Sequence, residues 1–245
     1  MERAHVRAWP ALETARIEGW LWRASGGGSQ RANSVSTVDF TGIDPAAAID
    51  AVEARYRALG TVARFHTFDD TQPPGLAALL EQRGYQPTEG TITLFKRPMP
   101  GPAPSDIEQR DTPWPGWIDT YTGEITPNRR EVNTRILAAI PAPRMFFGHC
   151  RDGHIVATAL CVIDAGCAVV ECVATRAGFR RQGAANRVMR ALETWAAAQG
   201  ADLLGLQVVS TNIPARTLYE NLGFRAGASN RFWVRDPAGY RIAGR

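Results

Sequence analysis

The chain has 245 residues, 44% of them hydrophobic and 21% charged, with a formal net charge of +4. That length leaves room for two compact units with a sizeable core, and the composition excludes disorder. No run approaches the ~20 apolar residues of a membrane span, so no membrane-spanning segment is expected, and because Lys and Arg form no stripe interleaved with aromatics, a nucleic-acid-binding module stays a third reading without a recognisable motif.

The opening Met1-Glu-Arg-Ala-His-Val-Arg7 carries no apolar stretch followed by a cleavage site, so a cytoplasmic location is expected. In the first half, residues 33–40 read as a strand, 45–59 as a helix and 62–68 as a strand, and a further helix and strand close the unit. Arg97-Pro-Met-Pro-Gly-Pro-Ala-Pro-Ser105 then marks a boundary, because alternate prolines favour an extended strap over helix or sheet. The expected division is a domain over 1–97, a linker over 98–105 and a second domain over 106–245.

Beyond the strap, 107–110 reads as a strand, and 114–121 and 128–140 as helices, the second ended by Pro141. Residues 144–150 and 154–163 are apolar β-runs separated by the turn signal Arg151-Asp-Gly153, and 167–175 is a third. Residues 184–199 place Val188, Met189, Leu192, Trp195 and Ala196 at helical spacing, with Gly200 at C′. A strand over 202–209, a short helix over 214–221 and a strand over 231–234 complete the order. The four cysteines, Cys150, Cys161, Cys167 and Cys172, lie in or beside these apolar strands without a Cys-x-x-Cys pair or a His at ligand spacing. Reduced thiols and no metal are expected.

The halves match each other. Leu80-Glu-Gln-Arg-Gly-Tyr-Gln86 lies over Tyr219-Glu-Asn-Leu-Gly-Phe-Arg225, and the same offset lays Ala32-Asn-Ser-Val-Ser36 over Glu171-Cys-Val-Ala-Thr175. Together with the shared order of strand, helix, strand and helix, this predicts an internal repeat.

The chemistry concentrates in the second half. After strand 167–175, small residues at Gly183, Ala184 and Ala185 would let a phosphate approach the unpaired N–H groups of a helix N-terminus, where the dipole is positive. Arg180 and Arg181 add cationic donors. Taken alone, this turn suits an ordinary strand-to-helix connection equally well. Neither the Gly-Lys-Ser/Thr ending of a Walker loop nor a Gly-x-Gly-x-x-Gly fingerprint is present.

A second segment, Ser210-Thr-Asn-Ile-Pro-Ala-Arg-Thr-Leu-Tyr-Glu-Asn-Leu-Gly-Phe224, follows the next strand. The two together resemble the GNAT acetyltransferase superfamily over about the last 140 residues. Arg180, Gly183 and Ala185 match its Arg/Gln-x-x-Gly-x-Gly/Ala pattern, with alanine where glycine is commonest. Asn212, Ala215, Leu218, Tyr219, Gly223 and Phe224 match its Asn-x-x-Ala-x-x-Leu-Tyr-x-x-x-Gly-Phe pattern. The resemblance implies an α/β (α+β) fold of two GNAT-like domains, each a mixed, mainly antiparallel twisted sheet flanked by helices, the first one degenerate. It implies an acetyl-CoA-dependent N-acetyltransferase acting on a small-molecule or peptide amine by direct attack in a ternary complex. A non-catalytic acyl-CoA-binding regulatory protein is the alternative, and the protein is expected as a monomer or homodimer.

Residue by residue, the resemblance implies that the backbone of Val173, Ala174 and Thr175 pairs with the pantetheine arm. Arg180, Arg181, Gln182, Gly183, Ala184, Ala185 and Asn186 form the pyrophosphate site, Asn212 contacts the cofactor, and Tyr219 protonates the leaving thiolate. A backbone N–H near Val173 would polarise the thioester carbonyl. Glu171, a lone carboxylate in an apolar strand, is the candidate base if burial raises its pKa; a solvent-facing charge is the other reading. His149 and His154 read as exposed hairpin residues without a catalytic role. Trp114, Trp117 and Tyr121 suit either the acceptor pocket or the core.

The segment Glu18 to Ser34 resembles part of the degenerate first repeat of tandem GNAT proteins. Thr41-Gly-Ile-Asp-Pro-Ala46 stands where the phosphate loop would be, and Leu80 replaces the tyrosine, so this half is expected to bind no CoA. Arg23, Arg31 and Asn33 could wall the acceptor cleft, and Gly26-Gly-Gly-Ser29 could be a flexible hairpin tip.

Overall fold

The structure is a computed structural model that describes residues 1–235, so the end of the expected second domain, 236–245, lies outside the described residues. In chain order it runs α1 (Glu2–Ala8), β1 (Glu13–Ile17), β2 (Trp20–Ala24), β3 (Val35–Ser36), α2 (Pro45–Ala58), β4 (Arg64–Phe68), α3 (Leu76–Gln82), β5 (Gln86–Pro87) and β6 (Thr91–Lys96). There follow β7 (Ile107–Arg110), α4 (Pro115–Gly123), α5 (Pro127–Ala139), β8 (Arg144–Arg151), β9 (His154–Asp164), β10 (Cys167–Thr175), α6 (Ala184–Ala198), β11 (Leu203–Val209), α7 (Ile213–Asn221) and β12 (Arg225–Val234).

Local chemistry explains most boundaries. Asp44 caps α2 by accepting from the N–H groups of Ala46 and Ala47, with Pro45 in the first turn. Asp152 and Gly153 both adopt positive φ between β8 and β9, as a two-residue hairpin turn requires. Gly200, at φ 73°, ends the α6 segment. The expected strand over 33–40 shrinks to β3, because the chain leaves the sheet after Thr37 to reach the Asp44 cap. β12, in contrast, starts well before 231. Its Arg-Ala-Gly-Ala-Ser stretch has little strand propensity but pairs with β6 across a bulge. α1 carries no side-chain cap; Ala4, Ala8 and the following Trp9 are buried against the second half, and that packing holds the helix.

All strands join one sheet, in the order β1-β2-β3-β4-β12-β6-β11-β10-β9-β8-β7, with β5 beside β12. The β3/β4 and β10/β11 pairs are parallel and the other pairs antiparallel. This is the mixed, mainly antiparallel class expected. The strands cross between halves: β6 lies between β11 and β12, and β12 lies between β6 and β4. Thr91 sits opposite Asn230, its counterpart at the offset that relates the two halves.

Alternate residues of the second half's strands face two cores. Phe147, Ala159, Cys161, Ala168 and Val170 pack under α6 and α7, while Phe146, Leu160, Val162 and Val169 pack under α1, α4 and α5. A third core, around Trp20, Trp22, Phe65, Tyr85 and Trp233, is covered by α2 and α3. Trp114, Trp117 and Tyr121 belong to the second core. No described helix is long and apolar enough to cross a membrane.

Candidate active site

The parallel strands β10 and β11 pair only from Cys167 to Val169 against Leu203 to Gly205. Beyond that point β11 continues beside β6 and β10 beside β9, so the sheet parts into a V. On its β9 side β10 is interrupted by a bulge between Glu171 and Ala174, with Cys172 at φ 55°. The Cys172 carbonyl is taken by the Thr158 hydroxyl at 3.0 Å. Val173 packs toward α6 and α7, and Cys172 and Ala174 toward the opposite core. A bulge beside an unpaired strand edge leaves backbone donors and acceptors facing the gap, which is what an extended ligand needs.

At the end of β10, Arg180 donates through Nε to the Thr175 carbonyl and pairs with Glu124, whose carboxylate also accepts from the Ala177 N–H. Gln182 bridges Arg151 and the Gly178 carbonyl. Gly183 is the N-cap of α6 at φ 80° and offers no side-chain cap, so the N–H groups of Ala184, Ala185 and Asn186 are not capped by a side chain. Arg181 is exposed, also at positive φ, and the Asn186 side chain is turned to Arg190. The loop residues expected to hold pyrophosphate thus stand together at one helix N-terminus.

Asn212 caps α7, accepting from the Ala215 N–H at 3.3 Å. Tyr219, on α7, is 7% exposed; burial first, and then the charge of Glu171, raise its pKa above the ordinary phenol value. Tyr219 joins the core under α6 and α7, whereas Glu171 reaches Arg31 on the other face.

Glu171 is not the lone carboxylate expected. Arg31 Nη1 and Nη2 donate to its two oxygens at 2.6 Å each, a bidentate pair, and the guanidinium lies over the Trp9 ring. Burial lowers the Arg31 pKa, but the charge and hydrogen bonds of Glu171 more than offset it, so the net shift is upward. His149 likewise departs from expectation: it is buried and its Nε2 meets Asp106 at 3.0 Å, while His154 is exposed. Arg23 does not wall a cleft, being buried and bonded to Ser34. The four cysteines are unpaired, and only Cys161 is fully buried.

Next to the Arg31–Glu171 pair opens a cleft of about 630 Å³. The loop from Gly27 to Arg31, Asn33, the start of α5, and the ends of β11 and β12 line it. Gly27, Gly28 and Ser29 form part of this wall, and Asn33 ties the segment down, accepting from the Ser25 N–H and donating to the Gly27 and Ser29 carbonyls. Gln207, Arg129 and Asn230 also face the cleft, and none stood out in the sequence. Arg129 alone carried a signal, a cation in the first turn of a predicted helix.

The family model described as "Probable histone acetyltransferase Rv0428c C-terminal" matches residues 1–233. The chain is similar to the "Uncharacterized N-acetyltransferase YobR" of Bacillus subtilis, 26% identical over 245 residues, covering 96% of this chain and 97% of that protein. Its fold resembles a GCN5-related N-acetyltransferase from Kribbella flavida (TM-score 0.68, 18% identity, 94% and 91% of the two chains). It also resembles a tandem GNAT protein from the clavulanic acid biosynthesis pathway (TM-score 0.63, 12% identity, 84% and 76%).

Proposed function

We propose, from the premise that the chain belongs to the family of the Rv0428c C-terminal acetyltransferase and with it to the GNAT superfamily, that it transfers acetyl from acetyl-CoA to a primary amine in a ternary complex. The observation that carries this reading is the gap between β10 and β11, bulged at Cys172 and followed directly by the uncapped N-terminus of α6. In it the pantetheine arm pairs with the backbone of Val173, Ala174 and Thr175. Arg180, Arg181, Gln182, Gly183, Ala184, Ala185 and Asn186 receive the pyrophosphate, and Asn212 contacts the cofactor. The thioester lies on the α6 and α7 side, near Tyr219, and the amine enters from the cleft on the Arg31 side.

The neutral amine attacks the carbonyl carbon, which a backbone N–H near Val173 polarises. The C–N bond forms and the C–S bond breaks; the amine proton leaves toward Glu171 and the thiolate takes the proton of Tyr219. Arg31 holds both Glu171 oxygens in place, and the negative charge of Glu171 favours the neutral form of the Tyr219 phenol. Arg31 is the positioning residue of that carboxylate.

The chain further reads as a tandem protein, with 1–97 a degenerate repeat that binds no CoA, 98–105 a strap and 106–245 the catalytic unit. The offset that lays α2 on α6 also lays β4 on β11 and α3 on α7, which supports duplication. The protein is read as cytoplasmic and as a monomer or homodimer.

Calorimetric titration of acetyl-CoA into wild type and Gly183→Asp tests the central claim. Aspartate at φ 80° is strained and places a negative charge where the pyrophosphate must sit, so binding is expected in wild type and a loss of at least about tenfold in the variant. No binding by wild type overturns the reading, and binding without turnover of any amine turns it toward a regulatory acyl-CoA-binding protein.

A further inference from the structure

The cleft beside Glu171 carries more positive than negative charge. Among the described residues, Arg31, Arg64 and Arg129 line it against the single carboxylate of Glu89, which is engaged by the Thr211 hydroxyl. Arg31 is committed to Glu171, and Arg64 donates to the Asn33 carbonyl at 3.1 Å. Arg129 differs. Among the described residues no carboxylate bonds its guanidinium, and its Nε is buried without a hydrogen-bond partner. It also stands in the first turn of α5, where the helix dipole is positive and no acidic residue compensates. A cation held unpaired in that field stands where an anion would be stabilised.

Two further groups in the same wall are unsatisfied. Asn230 is 3% exposed and bonded through Oδ1 to His66 Nε2 at 2.9 Å, and among the described residues its Nδ2 donor has no acceptor. Gln207 donates through Nε2 to Glu2 Oε2 at 2.9 Å. That carboxylate fixes the orientation of the amide, because only the NH2 group can face it. The Gln207 Oε1 is therefore left as a buried acceptor without a donor among the described residues. Unpaired donors and an unpaired acceptor in one cleft wall are complementary to a ligand that carries an anion and an N–H group.

We infer that the acceptor is a small primary amine bearing a carboxylate, with Arg129 and Asn230 binding the carboxylate and Gln207 Oε1 receiving an N–H of the attacking amine. This rests on the acetyltransferase reading above and narrows it. A polycation, such as a polyamine or a lysine-rich peptide, would meet uncompensated arginine in this cleft.

The test uses the full-length protein with bound CoA or saturating acetyl-CoA. The probes are the common α-amino acids, β-alanine and γ-aminobutyrate, each beside its own carboxamide, with spermidine and a lysine-rich peptide as polycations. Ligand binding is read by calorimetry, which needs no turnover, and transfer by release of free thiol. At least one carboxylate amine is expected to bind about tenfold or more tightly than its carboxamide, a difference of about 1.4 kcal/mol. Arg129→Gln is expected to erase that preference by raising KM for the carboxylate, leaving KM for the carboxamide within about twofold, and Arg129→Lys to restore part of it. The unchanged carboxamide KM shows that the variant is folded. Equal or tighter binding of the carboxamides, preference for the polycations, or no binding by any carboxylate amine overturns the inference while the acetyl-CoA titration still stands. Failure of that titration instead removes the parent reading.

Discussion

Tyr219 and Glu171 illustrate how environment sets a side chain's work. Burial and the neighbouring charge both favour the neutral phenol, so Tyr219 stays in its proton-donating form across the physiological range. The same shift makes it a weaker acid than an ordinary tyrosine, so in the proposed proton transfer its advantage would be position rather than strength. Tyr219→Phe is expected to lower kcat about 10²-fold with KM for acetyl-CoA little changed, and to do so evenly between pH 6 and 9, because the phenol does not titrate there. Stopped-time assays of thiol release at several pH values measure this. Turnover near wild type would remove Tyr219 from proton transfer. For Glu171, the sequence shows an isolated acid in an apolar strand, and the fold shows an ion pair. Arg31 is far away in the chain, and only the return of the loop from Gly27 to Arg31 over Trp9 brings it in.

Among the elements, β12 depends most on its neighbours. Its first residues have low strand propensity, and they pair because β6 presents Phe95 and Leu94 in register. Gly227 sits in the bulge between Ala226 and Ala228, and a Cβ there would lie 1.7 Å from Phe95 Cε1. Gly227→Ala is expected to destabilise the fold by about 1–3 kcal/mol or more through overpacking, read as a lower urea midpoint with an unchanged slope. An unchanged midpoint would show that Phe95 moves aside freely. The segment around β10 and α6 behaves oppositely. Its bounds follow local signals closely, since an apolar β-run, a glycine-containing turn and an amphipathic stretch each point to one conformation.

The whole molecule is one sheet shared by two halves. Without residues 1–104, β11 loses β6, β12 loses β4, β5 and β6, and the core under α4 and α5 loses Ala4, Ala8 and Trp9. Unpaired edges and exposed apolar faces favour aggregation. A fragment of residues 105–245 is expected to lack a cooperative thermal transition by circular dichroism and to be recovered mainly insoluble. A soluble, cooperatively folded and active fragment would mean that the first half is dispensable. Because the halves exchange their last strands, the linker boundary legible in the prolines separates sequence units more sharply than it separates packing units.

The sequence by itself determined the superfamily, the element order of the second half and the positions of Gly183, Asn212 and Tyr219, because strand and helix periodicity, turn residues and the two motifs are local properties of the chain. Only the tertiary structure decided the strand exchange, the burial of α1, the Arg31 partner of Glu171 and the meeting of Arg129, Gln207 and Asn230 in one cleft. Those depend on contacts between residues distant in sequence, and neither periodicity nor composition encodes which distant strands pair or which buried polar groups are left to face each other.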